Sequence, residues 1–138
     1  MHIIACLDDH NGMSFGGRRQ STDRTVRRDI LDTAQGKPVH MSLYSAQQFT
    51  QGEIVADDRF LHKAQPGDIC FVENVEITPH LHKVSRITLY RWNRRYPADL
   101  YFPELTGWQC IQCREFAGYS HEVITQEVYV PCSSKAEK

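Results

Sequence analysis

The sequence predicts an α/β domain with a mainly parallel central sheet, flanking helices and a C-terminal antiparallel hairpin. Three observations predict it. Short, continuous apolar runs at residues 3–7 and 69–72 read as strands buried on both faces. A strongly amphipathic stretch separates the first two strand candidates, as a parallel crossover requires. Near the end, two more strand candidates flank a short polar turn and should pair antiparallel. At 138 residues with 41% hydrophobic content, the chain fits one compact domain, assigned to residues 1–132, with a polar tail at 133–138.

Ile3 to Leu7 is closed by Asp8 and Asp9. His10 to Gly17 holds an Asn-Gly and a Gly-Gly pair, which supply positive φ angles, so this stretch of about ten residues reads as a mobile loop. Ser21, Thr22 and Asp23 are all good N-caps. Behind them Val26, Ile30, Leu31 and Ala34 recur at helical spacing while arginines and aspartates fill the other face, giving a helix over 22–35 that Gly36 stops. Val39 to Leu43 reads as a strand, and 45–50 as a short helix capped by its serine. Ile54 and Val55 are too few to assign. Asp57 to Lys63 reads as a short helix, and Asp68 to Glu73 as an interior strand. Ser85 to Trp92, Gly107 to Phe116 and His121 to Val130 are the remaining strands, the last two joined through Gly118-Tyr119-Ser120.

Sixteen basic residues balance seventeen acidic ones, which argues against a whole-surface attraction to nucleic acid or anionic membrane. No apolar run approaches the ~20 residues of a membrane helix. The N-terminus lacks the basic region of a signal peptide, so the expected location is cytoplasmic. Five cysteines, an odd number, do not make a disulfide framework and fit reduced thiols.

The clearest chemical bias is arginine, which outnumbers lysine eleven to five. Arg18, Arg19, Arg24, Arg27 and Arg28 form one cluster, and Arg91, Arg94 and Arg95 another. A guanidinium suits phosphate or carboxylate. Arg18 and Arg19 precede a helix N-terminus at the carboxyl ends of parallel strands, where ligands bind in open α/β sheets. The competing reading is a solvated face, with Arg27 and Arg28 paired to Asp29 or Asp32. On a strand, Trp92 faces away from Arg91 and belongs in the core. Cys110 and Cys113 have redox or zinc spacing, but the context reads as a strand, where residues three apart face opposite ways. His80 and His82 share a face only if extended. His10 and His121 are the candidates for proton transfer. No Ser-His-Asp order, phosphate-cradling glycine loop or paired zinc signature is legible.

Several segments taken in order resemble the dihydrofolate reductase family. The opening strand with Asn11-Gly12-Met13 is similar to that family's first strand and substrate loop. The helix running into Gly36-Lys37-Pro38-Val39-His40-Met41 is similar to its first helix and second strand. Pro66 to Val72, Ile87 to Tyr90 and Ala98 to Glu104 complete the pattern. The resemblance implies a dihydrofolate-reductase-like domain, NADPH as cofactor and Asp23 as the acid facing substrate. It also implies that Glu73 and Asn74 stand where the family has a glycine pair beside the dinucleotide pyrophosphate. A carboxylate and missing glycines there argue against a competent NADPH site. The Arg18-Arg19-Gln20-Ser21 and Arg91-to-Pro97 segments also resemble short bacterial proteins labelled ribonuclease Z. That activity needs a His-x-His-x-Asp-His zinc cluster, which this sequence lacks.

The leading expectation is a domain that binds an anionic or nucleotide-like small molecule at the sheet edge near residues 10–20. Asp23 and His10 are its catalytic candidates, and Arg18, Arg19, Arg24, Arg94 and Arg95 its anion contacts. The alternatives are an NADPH-dependent reductase of a pterin-like substrate and an RNA-interaction protein using both arginine clusters. No metal is expected.

Overall fold

The computed structural model describes residues 1–132; the tail at 133–138 lies outside the described residues. Seven strands form the main sheet in the order β5-β4-β6-β1-β7-β10-β9. These are β1 (His2–Leu7), β4 (Val39–Met41), β5 (Ile54–Ala56), β6 (Ile69–Val72), β7 (Arg86–Arg91), β9 (Trp108–Phe116) and β10 (Ile124–Pro131). The pairings among β5, β4, β6, β1 and β7 are parallel, while β10 runs antiparallel to β7 and β9. The predicted parallel sheet and terminal hairpin are both present.

Alternation along β1 shows how two cores are built. Ile3, Ala5 and Leu7 point into one layer and Ile4 into the other, as a period of two requires. The first layer is closed by α3 (Phe60–Lys63), by Ile77 ahead of a 3₁₀ helix (Thr78–Lys83), and by Met13 and Phe102. The second is closed by α1 (Arg24–Ala34), which buries Val26, Ile30 and Ala34 on the face its sequence predicts. The N-cap is Asp23, and Gln35 leaves the helix at φ 52°.

Several expectations change. The stretch expected as a loop after β1 contains β2 (Gly12–Phe15), which pairs with β3 (Arg18–Arg19) and β8 (Leu100–Tyr101) in a second, antiparallel sheet. Gly16 and Gly17, at φ 59° and 78°, make its two-residue hairpin turn, so the glycines read as loop signals are turn signals. The short helix α2 (Leu43–Ala46) is capped by Ser42 rather than Ser45. Ile54 and Val55, too few to assign from sequence, form an edge strand beside β4. His80 and His82 lie in the 3₁₀ helix, with His80 buried and His82 exposed, so the extended geometry that would align them is absent.

A register shift corrects the reading of the cysteine pair. Cys113 lies opposite Glu127 and Cys110 opposite Tyr129, with Ile111 as the extra residue of a β-bulge. Cys110 and Cys113 therefore share one exposed face of the outermost strand. Cys6 and Cys70 behave differently. Burial pushes the Cys70 thiol up to about 12 and raises Cys6 as well, so neither is a thiolate near neutral pH.

His2 sets an acid limit on stability. Burial, the Arg86 and N-terminal charges and Lys37 push its imidazole down to about 4, and its Nε2 lies 2.8 Å from Thr88 Oγ1. The unfolded chain therefore binds a proton there before the folded chain does. His2 gives full stability above about pH 6.5 and loses it as pH falls toward 4, by roughly 3 kcal/mol at most. Urea melts of the native chain and His2→Gln across this window should diverge, the variant showing the flatter profile. Parallel profiles would contradict the assignment.

No helix among the described residues is long and apolar enough to cross a membrane.

Candidate functional site

From β1 the chain crosses through α1 to β4, returns to β6 beside β1, then passes to β7 on the other side. The strand order thus reverses at β1, and in open α/β sheets ligands bind at the carboxyl ends of strands at such a point. Here those ends carry Asp8 after β1, Glu73 after β6 and Trp92 after β7.

Residues 19–23 run across these ends, and four of their side chains are fixed. The Arg19 guanidinium donates to both oxygens of the buried Glu73 carboxylate, at 3.0 and 3.2 Å, and lies over the Tyr44 ring at 4.2 Å. Ser45 Oγ and Gln48 Nε2 also donate to Glu73. Asn74 donates to Gly17 O, latching the β2–β3 turn to the end of β6. Gln20 Nε2 donates to Asp8 Oδ2 and Pro97 O. Asp8, which also accepts from the backbone N–H groups of His10, Gly12 and Tyr96, is buried. Burial alone would raise its carboxyl, but these donors hold it below the usual carboxylate range.

Ser21 and Asp23 meet His121, which follows the turn between β9 and β10. Asp23 Oδ2 is 2.9 Å from His121 Nδ1, while His121 Nε2 is 3.1 Å from Ser21 Oγ and 3.2 Å from Tyr96 Oη. Since an ionised carboxylate only accepts, it fixes the Nδ1–H tautomer and leaves the Nε2 lone pair toward the hydroxyls. Trp92 stacks on the imidazole, 4.6 Å between centroids and 23° between planes. Asp23 also accepts from Thr25, Val26, Tyr119 and Ser120 N–H groups. Its burial would raise the carboxyl, yet the Tyr119, Ser120 and Val26 N–H groups together with His121 hold it well below the usual range. Ser, His and Asp are therefore joined in space although no such order is legible in the sequence.

Gly118 permits that contact. A Cβ there would lie 2.7 Å from the His121 carbonyl oxygen and 2.8 Å from Asp23 Oδ2. Gly118→Ala should destabilise the fold by roughly 1–3 kcal/mol in urea melts. A neutral result would mean that the 118–121 turn moves freely.

The space around these groups has two parts. A narrow inner recess of about 10 Å³, no more than a single water needs, is lined by Ser21, Asp23, Arg27, Gln48, Glu73 and Trp92, among others. A wider cleft of about 440 Å³ is lined by Arg24, Arg27, Arg28, Leu31 and residues 49–51. Arg27 belongs to both. The arginines stand at positions i, i+3 and i+4, on one face of α1. None of the three has a carboxylate within ion-pair distance among the described residues, because Asp29 turns instead to Arg114, Tyr90 and Gln126. That removes the Asp29 pairing considered for Arg27 and Arg28.

The remaining predicted residues are dispersed. Arg24 lies over the Tyr119 ring at 4.4 Å. His10, Arg18, Arg94 and Arg95 are exposed on the turns and strand flanking the site. Ser21, Tyr96, Trp92, Arg27 and Gln48 were not among the predicted catalytic or anion contacts. Ser21 carried a sequence signal only as a capping residue type, Arg27 as a member of the arginine cluster and Trp92 as a core residue.

No protein-family model matches the chain, and no curated protein matches it. Among solved structures it is similar to a dihydrofolate reductase from Enterococcus faecalis complexed with NADP(H) and RAB-propyl. The match has a TM-score of 0.66 and spans 94% of this chain and 95% of that one at 9% identity. This chain has the dihydrofolate reductase fold. At that identity the likeness covers architecture alone, and the residues must supply the chemistry.

Proposed function

We propose that this dihydrofolate-reductase-like domain binds an anionic small molecule of nucleotide-like shape in the cleft beside α1. One observation carries the reading: Arg24, Arg27 and Arg28 face a cleft with an apolar wall at Leu31 and Phe49, and no carboxylate neutralises them among the described residues. An apolar wall with convergent cations suits a flat ring bearing phosphate or carboxylate. Arg19 plays another part, since its charge is taken up by Glu73. Asp23 is ionised and holds His121 in place.

A second cavity of about 440 Å³, as large as the cleft, lies at the opposite end of the sheet and is lined by His2, Lys37 and Arg86. It opens at the amino ends of β1 and β7. Its buried polar groups satisfy one another, His2 with Thr88 and Gln126 with Asp29 and Tyr90.

The second reading, an NADPH-dependent reductase, draws on the fold of the Enterococcus faecalis enzyme. Against it, Glu73, Arg19 and Tyr44 fill the end of β6, where the resemblance expects a glycine pair. A thermal-shift panel of NADPH, NADP⁺, FMN, folates, nucleotides and phosphate separates the two. A ligand that binds only the folded chain stabilises it by about 2.7 kcal/mol at a hundred times its dissociation constant. Nucleotides or folates should raise the melting temperature, and Arg27→Ala with Arg28→Ala should remove the rise. A shift with NADPH alone favours the reductase, and silence across the panel defeats both readings. Steep salt dependence with RNA would instead mark the arginines as a nucleic-acid surface.

A further inference from the structure

We propose that Ser21 is a nucleophile, activated by His121 and Asp23, that hydrolyses esters of anionic compounds. The three groups stand in series: carboxylate to Nδ1 at 2.9 Å, then Nε2 to the serine oxygen at 3.1 Å. Asp23 is fixed at the N-cap of α1 by four main-chain N–H groups, so the imidazole has a rigid anchor. Trp92 covers one ring face and sets its plane. Both His121 and Asp23 are buried, while Ser21 is part-exposed at the edge of the narrow inner recess, so a substrate reaches it from the surface. This is the arrangement in which an imidazole takes a serine proton and a carboxylate holds the tautomer.

Arg27 lines the same recess with no carboxylate partner among the described residues, and supplies a cation for a developing oxyanion. Arg24 and Arg28 line the adjoining cleft and hold the substrate's anionic end. For that end alone, the inference rests on the function proposed above.

The chemistry closes with water as co-reactant. Ser21 Oγ attacks the ester carbonyl carbon as its proton passes to His121 Nε2, and the carbonyl electron pair moves onto the oxygen facing Arg27. Collapse breaks the bond to the alcohol, which leaves with the proton from Nε2. Water then gives a proton to Nε2 and attacks the acyl-serine. The acid is released, and Ser21 regains its proton.

The test treats the full chain with an alkyl fluorophosphonate and locates the adduct by mass spectrometry. The expected result is one adduct, on Ser21, absent from Ser21→Ala and formed at least tenfold more slowly by His121→Gln. Should His121→Gln fail to fold, Ser21→Cys gives a second readout: the introduced thiol should react with iodoacetamide faster than the exposed Cys110 and Cys113. No adduct on Ser21 overturns the proposal. So does an equal rate in folded His121→Gln, or an introduced thiol slower than Cys110. If anions fail to bind the cleft while Ser21 is labelled, the nucleophile stands and the function reading falls. Binding without labelling means the reverse.

Discussion

Asp23→Ala is expected to cost the fold about 3–5 kcal/mol, a large part of the stability of a domain this size. The side chain caps α1 at Thr25 and Val26, receives the N–H groups of Tyr119 and Ser120, and pairs with His121. Alanine leaves those donors without an acceptor at a position that is 1% exposed, and an orphaned buried donor costs about 1–3 kcal/mol. Asp23→Asn should lose less, because asparagine also caps helices, but it removes the charge facing His121. The effect depends on pH with a defined sign. The folded pKa lies below the unfolded one, so the contribution is complete above about pH 4 and fades as pH falls further. Urea midpoints at pH 7 and pH 3 measure both. A loss under 1 kcal/mol at pH 7 would show that the turn at 118–121 is held by something else.

Glu73→Ala should be the next most damaging substitution, at roughly 2–4 kcal/mol. It leaves Arg19, whose side chain is 21% exposed, facing a buried space without its carboxylate. Ser45 and Gln48 lose their acceptor as well. The residual exposure of Arg19 keeps the loss below that of a fully buried pair. Replacing both partners, Arg19→Met with Glu73→Met, should recover part of it, since no lone charge remains. A double-mutant cycle by urea denaturation gives the coupling directly. Additive losses would mean that the ion pair does not hold the β3 segment to β6.

Much of the fold was legible because its strongest signals are local. The apolar runs at 3–7 and 69–72 could be little else than interior strands, and the periodicity of Val26, Ile30 and Ala34 defined α1 and its buried face. What escaped were elements whose stability is tertiary. β2 and β8 are short, and they exist because Gly12 can pass within contact of Asp8, Gln20 and Ala98. The 3₁₀ helix at 78–83 has no amphipathic period to betray it. The bulge at Ile111 reversed the inferred facing of Cys110 and Cys113, because parity counting assumes a regular strand.

The site was legible only in its parts. Ser21 and Asp23 read as helix caps and His121 as a lone histidine beyond a turn. Nothing local joins residues 98 positions apart. Glu73 read as a lost glycine, when it is the counter-charge of Arg19. The arginine bias was visible, but not which arginines lacked a partner, since that depended on Asp29 reaching across to Arg114 and Tyr90.

The most direct measurement is a ¹H–¹⁵N NMR titration of the chain with the ligand that gives the largest thermal shift. Binding in the α1 cleft predicts saturable perturbations confined to residues 21–31, 48–51 and 73, with the amides around His2, Lys37 and Arg86 unmoved. Perturbations centred on His2, Lys37 and Arg86, with residues 24–28 silent, would place the ligand at the other end of the sheet and contradict the account.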